Sequence, residues 1–180
     1  MTSSPAPLPV HCLAPDQLQQ APLSVPQMNW LLDNGFLGQA GRLLALPDAQ
    51  GGIAGFAFGL GEAQGRPPLI LGSAAAALSP GTYRLEFPSE PDPLASLAFR
   101  LGAYRFDRYR AAGRETVELA GSADDEPATA RLVEGAFLAR DLINTPANDL
   151  GPQEFETRIR SIAENLGMDC KVIAGDDLLA

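Results

Sequence analysis

Residues 53–60, IAGFAFGL, are apolar or glycine at every position. In a strand they would place Ile53, Gly55, Ala57 and Gly59 on one side and Ala54, Phe56, Phe58 and Leu60 on the other, leaving no polar face for water. The segment therefore predicts an interior strand with helices over both sides. The neighbouring elements agree. Residues 42–46 form a second compact apolar run, joined to the first by PDAQGG, whose proline, aspartate and paired glycines predict a hairpin connection. Residues 68–78, PLILGSAAAAL, hold four consecutive alanines and stop at Ser79-Pro80-Gly81, which predicts a helix followed by a strand over TYRLEF.

Further along, Leu94, Leu97, Ala98 and Leu101 fall at i, i+3, i+4 and i+7, with Asp92 and Pro93 as N-cap and first helical residue. Residues 115–119 alternate like a strand. A long helix spans 127–144, and Pro146, Asn148-Asp149 and Gly151-Pro152 end it. Pro152 opens another helix that runs to Leu166 with Gly167 as its cap, and DCKVIA is expected to be a short strand before the helix start GDDLLA. At the other end, VPQMNWLLDNGFLG predicts a short helix stopped at Asn34-Gly35. The first fifteen residues, rich in Pro and Ser, are expected to be frayed and without function. Helices and strands alternate, so the fold class is α/β.

Charge and cysteine usage narrow the partners. A formal net charge of −9 repels phosphate backbones, which argues against nucleic-acid binding. Lys171 is the single lysine, which leaves little room for Schiff-base chemistry. Cys12 and Cys170 have neither C-x-x-C spacing nor a histidine cluster, so a reducing compartment is expected. The opening MTSSPAPLPVHCL lacks a basic segment and a long apolar one, and no apolar stretch reaches membrane-spanning length, so the expected location is cytoplasmic, with no membrane partner.

Several residues invite a sharper reading. His11 and Cys12 are adjacent, but zinc sites need three or four protein ligands, and the pair reads as inert. Gly59-Leu60-Gly61 with Gly65 departs from G-x-G-x-x-G spacing and reads as a turn rather than a phosphate loop. Arg100, Arg105, Arg108, Arg110 and Arg114 are interleaved with Tyr104, Phe106 and Tyr109; intersubunit or interdomain ion pairs are the favoured role over an anion surface. Asp124-Asp125-Glu126 and Asp176-Asp177 are adjacent acids, suited to charging helix N-termini rather than to converging on metal ions. Ser73 and Ser79 have no triad-like partner and read as a helix residue and a cap. Asn144-Thr145-Pro146 reads as a hydrogen-bonded turn in preference to part of an active-site entrance.

Three stretches occur together in a family-like order: WLLDNGFLGQAGRLLALPDAQGGIAGFAFGLG (30–61), LGAYRFDRYR (101–110) and ARDLINTPANDLGPQEF (139–155). In that order the chain resembles the leucine aminopeptidase (cytosol aminopeptidase) family. The resemblance implies a layered mixed β-sheet flanked by helices over residues 1–126, a connecting helix over 127–145, and the beginning of a catalytic domain over 146–180. It also implies peptide substrates, a leucine-like preference, hexameric assembly and two divalent cations, Mn or Zn, in the catalytic domain. The family's glycine-rich catalytic segments of the VGKG, FDTGG and NTDAEGR type do not occur in the sequence, so no catalytic, cofactor-binding or metal-ligating residue carries over. The expected role is that of a truncated, non-catalytic portion serving assembly and active-site access. A small-ligand module for a nucleotide or ADP-ribose-like compound is the alternative.

Overall fold

The computed structural model describes residues 6–110, 116–121 and 127–179. They divide into two compact units, 1–137 and 138–180. Among the described residues, the first unit contains a five-stranded mixed sheet. Its strands are β1 (Leu8–Leu13), β2 (Leu43–Pro47), β3 (Ile53–Gly59), β4 (Gly81–Glu86) and β5 (Val117–Leu119), in the spatial order β2-β3-β1-β4-β5. β1 runs parallel to β3 and β4, β4 parallel to β5, and only β2 is antiparallel to its neighbour.

The central strand comes from the segment expected to be frayed, and that expectation is corrected here. Val10, Cys12 and Leu13 have no exposed surface, and β1 is paired along both edges. Proline ordinarily argues against a central strand, since it cannot donate to the ladder and its ring takes up space. Pro9 is accommodated because Gly55 lies opposite it: a Cβ on Gly55 would sit 2.7 Å from the Pro9 ring and from its carbonyl oxygen. The two residues fit only as a pair, and they are 46 positions apart.

Helices cover both faces of the sheet, as the apolar character of β3 requires. On one face Val10, Cys12, Phe58 and Leu60 pack with Tyr83 against α2 (Leu71–Ala77) and α3 (Ala95–Ala103), through Leu71, Ala74, Ala75, Ala98 and Phe99. On the other, Leu13, Leu46 and Ala57 meet Leu18 of a 3-10 turn, Leu31 of α1 (Val25–Asp33) and Phe36. Burial of these two apolar clusters is the main favourable term in the fold. α2 and α3 touch backbone to backbone, because a Cβ on Gly102 would lie 2.0 Å from the Gly72 carbonyl oxygen.

Local chemistry accounts for the connections. In the β2–β3 hairpin, Asp48 Oδ1 accepts hydrogen bonds from the Gln50 and Gly52 amides, and Gly51 takes the left-handed conformation. β2 is an edge strand, and the Trp30 indole donates to the Ala45 carbonyl at 3.0 Å, occupying an acceptor that another strand would otherwise use. α1 stops at Asn34-Gly35 as expected, with the Arg42 guanidinium donating to the Asn34 and Gly35 carbonyls. α3 begins at Ala95, two residues later than its sequence predicts. Asp92 instead closes a turn ahead of it, with Oδ1 accepting from the Leu94 amide and its carbonyl from the Ala95 amide.

α4 (Pro127–Asn144) has the expected bounds, and the division between the two units falls within it. The second unit also contains α5 (Pro152–Asn165), ended by Gly167 in the left-handed conformation, and a 3-10 turn over Gly175–Leu179. The strand expected over DCKVIA is absent: 169–174 has no ladder partner among the described residues, and an apolar run without a partner is not a strand. Glu115 and the 122–126 turn lie outside the described residues. No helix among the described residues is long and apolar enough to cross a membrane.

The glycine contact between α2 and α3 gives a direct test. Gly102→Ala should destabilise the chain by about 1–3 kcal/mol, because the added methyl meets fixed backbone. Gly135→Ala, in α4 with nothing within 4 Å of the new Cβ, should stabilise by about 0.5–1 kcal/mol from helix propensity alone. Urea midpoints moving in opposite directions are the expected outcome; equal shifts would contradict the packing described.

Candidate functional site

His11 and Cys12 are consecutive on β1, so their side chains leave opposite faces of the sheet. They cannot converge on one ion. Cys12 is fully buried on the α2–α3 face, and burial pushes its thiol well above the ordinary range, leaving it protonated and unreactive. His11 is buried on the opposite face, its Nδ1 3.2 Å from Glu86 Oε2, its β4 neighbour in the register. That approach sets the imidazole beside the carboxylate without the alignment of a hydrogen bond. Glu86 also accepts from Arg84 Nε at 2.7 Å, and the Arg84 guanidinium reaches the Pro7 carbonyl. The His11 pKa is lowered chiefly by burial; Glu86 opposes the shift and Arg84 adds to it. Sequence reading passed over this polar group because only the β1–β4 register brings residues 11, 84 and 86 together.

The glycine turn after β3 has its amides committed. Gly59 N donates to Arg42 O, Leu60 N to Leu13 O and Gly61 N to Gly38 O. A Cβ on Gly59 would lie 2.0 Å from the Gln39 carbonyl oxygen, so the residue is small to let the 38–39 segment pass. These three amides are not available to cradle a phosphate.

Arg105 is engaged with backbone carbonyls of this chain. Its Nη1 donates to the Gly102 and Tyr104 carbonyls, and its Nη2 to the Ala76 carbonyl at 2.8 Å. A cation thus satisfies acceptors where α2 and α3 both end, a favourable place for positive charge. Arg108 lies over the Tyr109 ring, 5.9 Å from its centroid, and Arg114 is outside the described residues. Tyr104 packs on Phe137 with ring centroids 5.0 Å apart. Ser73 is a helix residue of α2, and the Ser79 carbonyl accepts the Tyr83 hydroxyl at 2.7 Å.

In the second unit, Thr145 is buried and its Oγ1 donates to the Asp141 carbonyl at 2.6 Å, the same acceptor its amide uses. This back-bonding ends α4. The Asp149 amide donates to the Pro146 carbonyl, and Gly151-Pro152 begins α5. Local hydrogen bonds therefore account for the Thr145-Pro146 turn. Beyond it, Phe155 and Ile159 of α5 face Val172, Ile173 and Leu178 across an open apolar groove of about 730 Å³, with Glu156, Cys170 and Lys171 also lining it. Asp176 and Asp177 stand in the first turn of the 3-10 segment, while Asp124, Asp125 and Glu126 lie outside the described residues. Among the described residues no group of three or more His, Cys, Asp or Glu side chains is placed to hold a metal ion.

Residues 8–121 match the family described as M17 aminopeptidase, N-terminal domain. Among curated proteins, the probable cytosol aminopeptidase of Nitrobacter winogradskyi is 38% identical over 107 residues, covering 49% of this chain and 21% of the relative. Among solved structures, the cytosol aminopeptidase of Coxiella burnetii superposes with a TM-score of 0.77 at 27% identity, over 98% of this chain and 39% of that one. The bottromycin maturation enzyme BotP in complex with Mn gives 0.74 at 27% identity, over 97% and 40%. The chain thus spans well under half the length of these relatives.

Burial of His11 makes stability depend on pH. The folded chain holds His11 below its ordinary value of 6.5, so on acidification the unfolded chain binds the proton first. The contribution of the neutral imidazole is complete above that value and is lost as pH falls from it toward the lower folded one. The urea midpoint should therefore drop between about pH 7 and about pH 5.5, and the drop should be smaller in His11→Gln. Parallel profiles for the two proteins would show that another group governs the loss.

Proposed function

Since the chain belongs to the M17 aminopeptidase family, whose N-terminal domain matches residues 8–121, we propose that it is the non-catalytic amino-terminal portion of a metal-dependent aminopeptidase acting on peptides. The observation that carries this reading is the agreement of the family match with the superposition of nearly the whole chain on a cytosol aminopeptidase more than twice its length. In the proposed division, residues 1–126 are the N-terminal domain, 127–145 a connecting helix and 146–180 the start of the catalytic domain. Two divalent cations, a hexameric assembly and a cytoplasmic location complete the proposal. The manganese in the BotP complex supports the choice of metal.

The described residues do not fit the metal pair themselves. Asp176 and Asp177 are sequence neighbours in one 3-10 turn, and no three ligating side chains converge. A two-metal hydrolase needs several carboxylates around cations roughly 3.5–4 Å apart. No catalytic step is assigned to this chain. Its residues build a compact α/β unit, end the long helix at Thr145, and redirect the backbone through Pro146–Gly151 into α5. The apolar stripe of α5 provides surface for packing, not chemistry.

The reading is tested by assaying the full-length gene product beside the 180-residue chain for manganese-stimulated hydrolysis of a leucine chromogenic amide, with a chelator control. Activity should be confined to the longer protein and should disappear with the chelator. Absence of activity in both, across several metals and amino-acid amides, would overturn the peptidase assignment.

A further inference from the structure

The loops at the carboxyl ends of β1, β3 and β4 enclose a small cavity of about 50 Å³. β1 sits between β3 and β4, and its following helix packs on one face while α2 and α3, which follow β3 and β4, pack on the other. The chain diverges there, and such crevices are where open α/β sheets receive ligands. Gln17, Arg66, Ser89, Glu90 and Asp92 form the polar wall. Gln17 Nε2 donates to Ser89 Oγ at 3.0 Å, tying the loop after β1 to the loop after β4. Arg66 is held by a bond from Nη2 to the Gly61 carbonyl at 3.0 Å, and its Nε is buried without a hydrogen-bond partner.

An unpaired buried donor on a permanent cation calls for an acceptor. The rest of the wall restricts what can bring one. Glu90 and Asp92 disfavour a bare anion such as phosphate, and Arg66 disfavours a bare cation. A ligand carrying both charges on groups attached to one carbon satisfies both sides. The volume excludes a nucleotide and suits a compact head group whose remainder extends outward.

We propose that this cavity binds the head group of a small free α-amino acid, its carboxylate on Arg66 and its ammonium on Glu90 and Asp92. The inference stands on these residues alone and does not require the peptidase reading. It assigns the amino-terminal unit a ligand of its own, of the chemical class that any aminopeptidase releases.

Titration calorimetry of the 180-residue chain with glycine and alanine, with acetate and methylammonium as single-charge controls, tests it. The expected result is saturable binding of the amino acids and at least a tenfold weaker response to either control. Arg66→Gln should abolish binding. Glu90→Gln, at an exposed position that leaves the core untouched, should weaken it about tenfold, so the test survives if the arginine variant fails to fold. No saturable heat up to about 10 mM amino acid, binding unchanged in Glu90→Gln, or acetate binding as tightly as alanine would each overturn the proposal.

Discussion

The two ladders of β1 hold the amino-terminal unit together. A strand paired on both edges and buried on both faces satisfies its own backbone groups and supplies apolar side chains to two cores at once. β3 and β4 meet only through it, so the sheet would separate into the β2–β3 hairpin and the β4–β5 pair without residues 8–13. The two helical layers depend on the same strand. Val10 and Cys12 belong to the layer with α2 and α3, and Leu13 to the layer with α1.

Where periodicity or a turn signal lay within one segment, the sequence was readable. IAGFAFGL announced a strand covered on both faces, Asn34-Gly35 and Gly167 marked helix ends, and Pro127 to Asn144 gave α4 with its bounds. What was lost required knowing a partner far away in the chain. Pro9 argued for a loose terminus until Gly55 was seen beside it. DCKVIA has the apolar pattern of a strand, but pattern does not provide a ladder. The polar group of His11, Glu86 and Arg84 and the cavity wall of Gln17, Arg66 and Ser89 were equally hidden, because register and loop closure assemble them. Arg105 bonds carbonyls at two helix ends, acceptors that its local sequence does not mark.

The division of labour within the chain follows from its polar groups. In the first unit several polar groups serve the architecture: the Glu86 carboxylate lies between Arg84 and His11, the Trp30 indole shields an edge, and the amides after β3 bind neighbouring backbone. In the second unit the described elements offer an apolar groove and a sharply ended helix. The match to the M17 N-terminal domain covers residues 8–121, which lie within the first unit.

The position of β1 also sets the order of events during synthesis. Residues 8–13 leave the ribosome before their partners, Ile53–Gly59 and Gly81–Glu86, which follow some forty to seventy positions later. Until then a largely apolar strand has two open edges, the condition that invites pairing with other nascent chains. The hairpin of β2 and β3 can form from local contacts alone, whereas closing the sheet around β1 must wait for a long loop. Closure of the amino-terminal unit is thus set by its longest-range pairings, and β1 is the strand whose edges wait longest for a partner.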